Sequence, residues 1–354
     1  MDRVLYSAHL PLSLLLFISL FFMGCNSYVD RFTLKELKRV AGIDSKDSLD
    51  ASFAIKKMRK RAVNVARDSI TFSDGSYLTK SGFGALKIPK RYKFITESSK
   101  YILVSQDSGK FLVIDKGVKS VIHSHKLPFT IVSGKIIGDK IFYISLNNIF
   151  GIYSISNRKS LVSTKVGKAY AVDTRISNPI VIKNLLVVPT LDGKLLVINP
   201  SNPTGASGMA IGKSFNLNNV IFLGKIENRI IASTPSKLIS ASPGSMHKYE
   251  TVIADVTIYK NRIYLLARDG RITILSPSLN VVRTKRFDFK RFSTIAVVGN
   301  SIFALDGDGY LLVTNLSLSK SRVYDVGGVN GYTFVANGKL YKDDEVIFLD
   351  RLQL

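Results

Sequence analysis

The feature that most constrains this chain is a turn that keeps returning. Short polar pairs separate apolar runs at Asp74-Gly75, Ser108-Gly109, Asn147-Asn148, Asp192-Gly193, Ser236-Lys237, Asp269-Gly270, Asp308-Gly309 and Asp343-Asp344. Successive pairs stand 33 to 45 residues apart. Asp, Asn and Gly tolerate the positive φ of tight hairpins, so these pairs read as turns between strands. Strand-rich units repeating about every 40 residues are the signature of a β-propeller, in which each unit is one four-stranded blade. The fold class is therefore all-β.

Runs such as Leu185–Val188 and Leu195–Ile198 are continuously apolar. Blades packed face to face bury both sides of a sheet, and alternation is then lost. The last unit is incomplete, with runs at Tyr332–Ala336, Gly338–Lys342 and Glu345–Leu349 before the sequence ends. A ring must pair its first and last elements or leave strand edges unpaired. The N-terminal strands around Ala62–Leu86 are therefore predicted to close the last blade, which gives seven blades. If the hairpin at Ile70–Thr79 forms a blade of its own, the count is eight.

The N-terminus sets the compartment. Arg3 precedes an apolar stretch from Leu10 to Met23, about 14 residues, which suits a signal peptide better than a membrane-spanning helix. It ends Phe22-Met23-Gly24-Cys25, which resembles a bacterial lipobox. There the thiol is acylated and becomes the mature N-terminus, and acyl chains add about 0.8 kcal/mol of membrane affinity per buried CH₂. Cys25 is the only cysteine, so no intramolecular disulfide can form. The sequence thus divides into a signal peptide at 1–24, a lipidated basic tether at 25–61 and a propeller at 62–354. Within the tether, Leu34, Leu37 and Ala41 have helical spacing.

Lys and Arg number 50 against 26 Asp and Glu, a net charge of +24. Such an excess favours anionic partners. An exported chain does not meet nucleic acid, which leaves lipid headgroups, lipopolysaccharide and acidic protein surfaces. The run Lys56, Lys57, Arg59, Lys60 and Arg61 is the candidate contact with an anionic surface, each charge contributing about 1 kcal/mol near it.

Asp192–Gly205 resembles the repeat of pyrroloquinoline-quinone-type propellers, with weaker copies at Arg268–Ser276 and Asp306–Thr314. Together with the lipobox, the chain resembles the propeller lipoproteins of the outer-membrane β-barrel assembly machinery, the assembly factor B family. The resemblance implies a non-catalytic protein on the periplasmic side of the outer membrane. It would dock on the central barrel-assembly subunit and help outer-membrane proteins insert. Ser27, rather than Asp, lies two positions beyond Cys25 and Asn26 follows it directly; by Gram-negative sorting rules the lack of Asp after the cysteine implies outer-membrane residence.

Cofactor chemistry finds little support. Quinone enzymes of the resembling repeat class hold their cofactor between a Trp and a vicinal disulfide, whereas this chain has no Trp and one Cys. His123 and His125 share a strand face, but a zinc site wants three or four ligands. Asp306-Gly-Asp308-Gly309 begins like a calcium loop, yet the position of the bidentate Glu is Ser317. No catalytic, cofactor or metal residue is assigned. The alternative is a periplasmic propeller enzyme or carbohydrate-binding lipoprotein, with residues gathered from loops of different blades.

Overall fold

The computed structural model describes residues 49–169, 172–212, 218–287 and 291–354. Cys25, the signal segment and the helical spacing at 34–41 lie outside the described residues. The described chain is an eight-bladed propeller whose only helical pieces are two short 3₁₀ turns. Blades 2 to 6 are each four antiparallel strands in sequence order, from 93–126 to 253–286. Blade 7 has a fifth strand: Leu49–Asp50 runs parallel to Ser321–Asp325.

The expected count of seven is corrected to eight. The hairpin of Ser69–Phe72 and Tyr77–Thr79 acquires its own inner strand, Ala62–Val65, and a two-residue outer strand, Gly82–Phe83. It is therefore a whole blade, and Ala62–Leu86 does not close the ring. Closure falls to Ile55–Lys57, which pairs antiparallel with Glu345–Phe348 as the outer strand of blade 8. A three-residue strand reading Ile-Lys-Lys has no alternation to announce it. The propeller thus begins upstream of 62, within the segment assigned to the tether.

The core is a ring of apolar clusters between neighbouring blades. Phe111, Val113 and Leu103 of blade 2 meet Ile141, Tyr143 and Tyr153 of blade 3. At the seam, Ala51 and Ala54 fill the cluster between blades 7 and 8, and Met58 fills the next, between blades 8 and 1.

The recurring turns behave as expected. Backbone φ is positive at Gly75, Gly109, Asn148, Gly193, Gly270 and Gly309. At Gly109 a Cβ would lie 2.2 Å from the Leu127 carbonyl, so only glycine fits. Each of these six turns also accepts a hydrogen bond from an apolar residue beyond the outer strand: Ile88, Leu127, Val166, Ile211, Phe287 and Val326 donate their N–H groups over 2.8–3.1 Å. The bond returns the chain from the rim to the hub before the next inner strand begins.

Candidate functional site

Eight inner strands surround a central channel, and its polar residues arise from a repeated irregularity. The inner strands of blades 1, 2, 3, 6 and 7 are bulged near their starts, with Asn64, Thr96, Ser133, Asp255 and Thr294 resuming the pairing. A bulge re-aims the side chains beside it. Ser133 Oγ donates to Ser177 O over 2.8 Å, and Asp255 accepts N–H bonds from Val256 at 2.8 Å and Ile295 at 3.0 Å.

One connection crosses the channel. Residues 172–178, between blades 3 and 4, leave the rim and enter the hub. Asn178 donates to Ile95 O of blade 2 at 3.0 Å and accepts from Gly134 N of blade 3 at 3.1 Å. Its own N–H donates to Asp68 of blade 1 at 2.8 Å. Asn219, ahead of blade 5, clasps the backbone of Asp173 from both sides, at 2.7 and 3.0 Å. Arg175 pairs with Asp173 at 2.6 Å and donates to Ala254 O of blade 6. Arg67 of blade 1 reaches Asp255 of blade 6, donates to Val256 O at 2.5 Å and lies 5.2 Å from the Phe222 ring centre of blade 5.

This crossing lies against blades 2 to 4, and the remaining space is bounded by blades 1, 5, 6, 7 and 8. It is a cavity of about 1130 Å³. Three carboxylates line it, Asp68, Asp173 and Asp255. The basic side chains are twice as many: beside Arg67 and Arg175 stand Lys80, Lys225, Arg268 and Arg291. Burial alone would raise the Asp173 carboxyl, but hydrogen bonds and charge from Arg175, with Arg268 farther off, hold it below the usual carboxylate range. The Lys80 side chain is exposed along the channel wall, yet protein surrounds its ammonium. That enclosure, reinforced by Arg67, pushes its ammonium down to about 8 against the pull of Asp68 and Asp255.

The rim offers a second kind of surface. Among the described residues, the outer strands Ser120–Lys126, Lys159–Lys165, Asn202–Ala210, Ser245–Glu250 and Val281–Arg286 end their sheets without a further strand. Val121, Ile122, Val281 and Val282 are exposed there. Such an edge is a template for strand addition, and lysine and arginine keep it from pairing indiscriminately.

Of the basic run read from sequence, Lys56 and Lys57 sit exposed on the closing strand, and Arg59 and Arg61 are exposed just after it. Lys60 is engaged: its ammonium pairs with Asp74 at 2.6 Å and donates to Ser76 Oγ at 2.8 Å. His123 and His125 do share a face, their rings 6.3 Å apart and nearly parallel, and His123 Nε2 meets Tyr153 OH at 2.8 Å. Burial, then His125 and Arg158, lower the His123 pKa. Among the described residues no group of three or more His, Cys, Asp or Glu could hold a metal. The channel residues escaped the sequence reading. Their signal was an Asp inside the apolar run Ile253–Tyr259, where an unpaired charge is not tolerated.

No family model matches the chain. It is 26% identical over 230 residues to the plasminogen-binding protein PgbB of Helicobacter pylori strains J99 and 26695, an alignment covering 63% of this chain. It accounts for 42% of PgbB, so the chain spans less than half the length of the curated relatives it matches. Among solved structures, BamB from Moraxella catarrhalis superposes with a TM-score of 0.63 at 13% identity, covering 82% of this chain and 97% of BamB. The computationally designed protein Ika8 superposes at 0.55 with 10% identity, covering 83% of this chain and 98% of its own. The fold is a BamB-like β-propeller.

Proposed function

We propose that this chain is a non-catalytic scaffold, lipid-anchored at Cys25 to the periplasmic side of the outer membrane, that assists assembly and insertion of outer-membrane β-barrel proteins. The carrying observation is a BamB-like ring whose longest outer strands are, among the described residues, left open at the rim. Barrel proteins reach the membrane as unpaired strands, and an open edge pairs with such a segment through main-chain hydrogen bonds alone. The lipobox keeps the ring at the surface where insertion occurs, and the exposed Lys56, Lys57, Arg59 and Arg61 add attraction to anionic headgroups. The expected partners are the central subunit of the barrel-assembly machinery and unfolded outer-membrane proteins.

The test is capture of the tagged full chain from solubilised outer membranes, probed for the central barrel-assembly subunit. Recovery supports the reading. Absence of that subunit, with the chain intact and membrane-bound, refutes it. Replacing Cys25 by Ala should move the protein from the membrane to the soluble fraction.

The sequence match favours a second reading, in which the ring captures a soluble protein as the name of PgbB describes. Surface plasmon resonance against purified plasminogen separates the two.

A further inference from the structure

We propose that the central channel is a binding site for a small polyanion, whose phosphate or carboxylate oxygens are taken by Lys80, Lys225 and Arg268. Two of the three carboxylates that line the cavity are held by guanidinium groups, and the third, Asp68, is left to offset one of the remaining cations. Asp255 is held by the Arg67 guanidinium and two backbone N–H groups. Asp173 is held by Arg175, and Asp68 accepts from the Asn178 backbone.

The basic side chains are not matched in the same way. Lys80 donates to the Val335 carbonyl at 3.1 Å and sits 4.0 Å over the Phe334 ring centre. Neither partner carries a net charge, and an ammonium has three protons to donate. Lys225 donates to the Val181 carbonyl at 3.3 Å. Arg268 acts through space on Asp173, whose oxygens Arg175 already occupies. These three cations come from blades 1, 5 and 6, so they approach the cavity from different walls. Unneutralised charge within low-dielectric walls focuses the field and concentrates counter-ions.

Size sets the class. Small-ligand pockets run to about 300–1,000 Å³, and this cavity is about 1130 Å³. The crossing segment narrows the channel on the side of blades 2 to 4, which favours a compact molecule over a threaded chain. Binding in the hub is independent of docking at the rim, so the scaffold reading and this one stand or fall separately.

The experiment is isothermal titration of the full chain with two probes, tripolyphosphate and citrate, at low ionic strength. Preference for the first assigns a phosphorylated ligand, and preference for the second a carboxylated one. Lys80→Gln and Arg268→Gln should each weaken the preferred probe about tenfold, the scale of a lost charge-assisted hydrogen bond. Lys248→Gln, on the outer strand of blade 5, should leave it unchanged. Circular dichroism melts of each variant establish that the ring is folded. Since Lys80 faces Arg67, Asp68 and Asp255 and loses its proton near pH 8, wild-type binding should weaken between pH 7 and 9. Lys80→Arg, which keeps its charge, should not weaken across that range. No binding of either probe, or equal affinity in wild type and both channel variants, overturns the proposal.

Discussion

The ring is held shut in two places by opposite physics. At the seam, residues 49–58 wrap the outside of blades 7 and 8. They contribute a parallel strand, an antiparallel strand and three buried apolar side chains, Ala51, Ala54 and Met58. At the hub, Arg67 and the segment 172–178 tie blades 1, 2, 3 and 6 through charged and amide groups. The seam is mainly apolar contact reinforced by ladder bonds, so it depends little on pH near neutrality. The hub consists of buried polar groups that stabilise only while every partner is present. A propeller could close by the seam alone. The hub adds definition to the centre and, by filling one side, shapes the cavity on the other.

The seam should give the largest losses. Ile347 is fully buried, pairs with Ile55 across the seam and packs with Ala51 and Ala54. Ile347→Ala should destabilise by about 2–5 kcal/mol, read as a lower urea midpoint, and by the same amount at pH 5 and pH 8. The backbone offers an independent break. Met58 N–H bonds to Asp344 O, so two residues along the antiparallel ladder Lys56 and Val346 form the next hydrogen-bonded pair. Lys56→Pro removes that donor without touching the apolar cluster. If Lys56→Pro proved neutral while Ile347→Ala did not, closure would rest on side chains alone.

Next comes the hub. Arg67→Ala leaves the buried Asp255 carboxylate with backbone partners only, a loss of about 3 kcal/mol for a largely buried pair. Asp255→Asn in the same background should recover part of it, because the stranded charge is gone. Additive effects of the two changes would mean that they do not act on one interaction. Asn178→Ala is smaller, about 1–3 kcal/mol, because it orphans the Gly134 N–H and the Ile95 carbonyl but leaves the Asp68 bond, made by its backbone, intact.

The same contrast decides what could be read from sequence. The blades were legible because they are local: turn pairs at Asp192-Gly193 and Asp308-Gly309 sit between strands that pair with their immediate neighbours. A further regularity was present but unread. The apolar residue that bonds back to the turn stands 17 or 18 positions after it in five blades, from Gly109 and Leu127 to Gly309 and Val326. In blade 1 the gap shortens to the Gly75–Ile88 spacing because its outer strand is only Gly82–Phe83. Blade 1 reads as spare strands for closure because only its central hairpin stands out in the sequence while the last unit is incomplete. The seam and the hub were not legible because their contacts are distant. Ile55 pairs across nearly the whole chain, and nothing about Asp173-Thr-Arg175 within a loop indicates that it enters a channel. Bulges at Ser133 and Asp255 depend on backbone pairing, which composition does not encode.

The smallest effect sharpens the contrast from the seam's own side. Lys60 and Asp74 form an ion pair beside the closing strand, both side chains about a third exposed. The hydrogen bond from Lys60, then that from Ser76, holds the Asp74 carboxyl well below its usual range. A carboxyl whose pKa is depressed by folding stabilises above its unfolded value, near 3.8, and loses that contribution as the pH falls below it. Solvent screens an exposed pair, so Asp74→Asn should lower stability by only about 0.2–1 kcal/mol at pH 6. The difference from wild type should shrink at pH 3, measured by urea unfolding at both pH values. A gap that held constant from pH 6 to pH 3 would mean that neither Lys60 nor Ser76 favours the charged carboxylate, and this pair would then add nothing ionic to the seam.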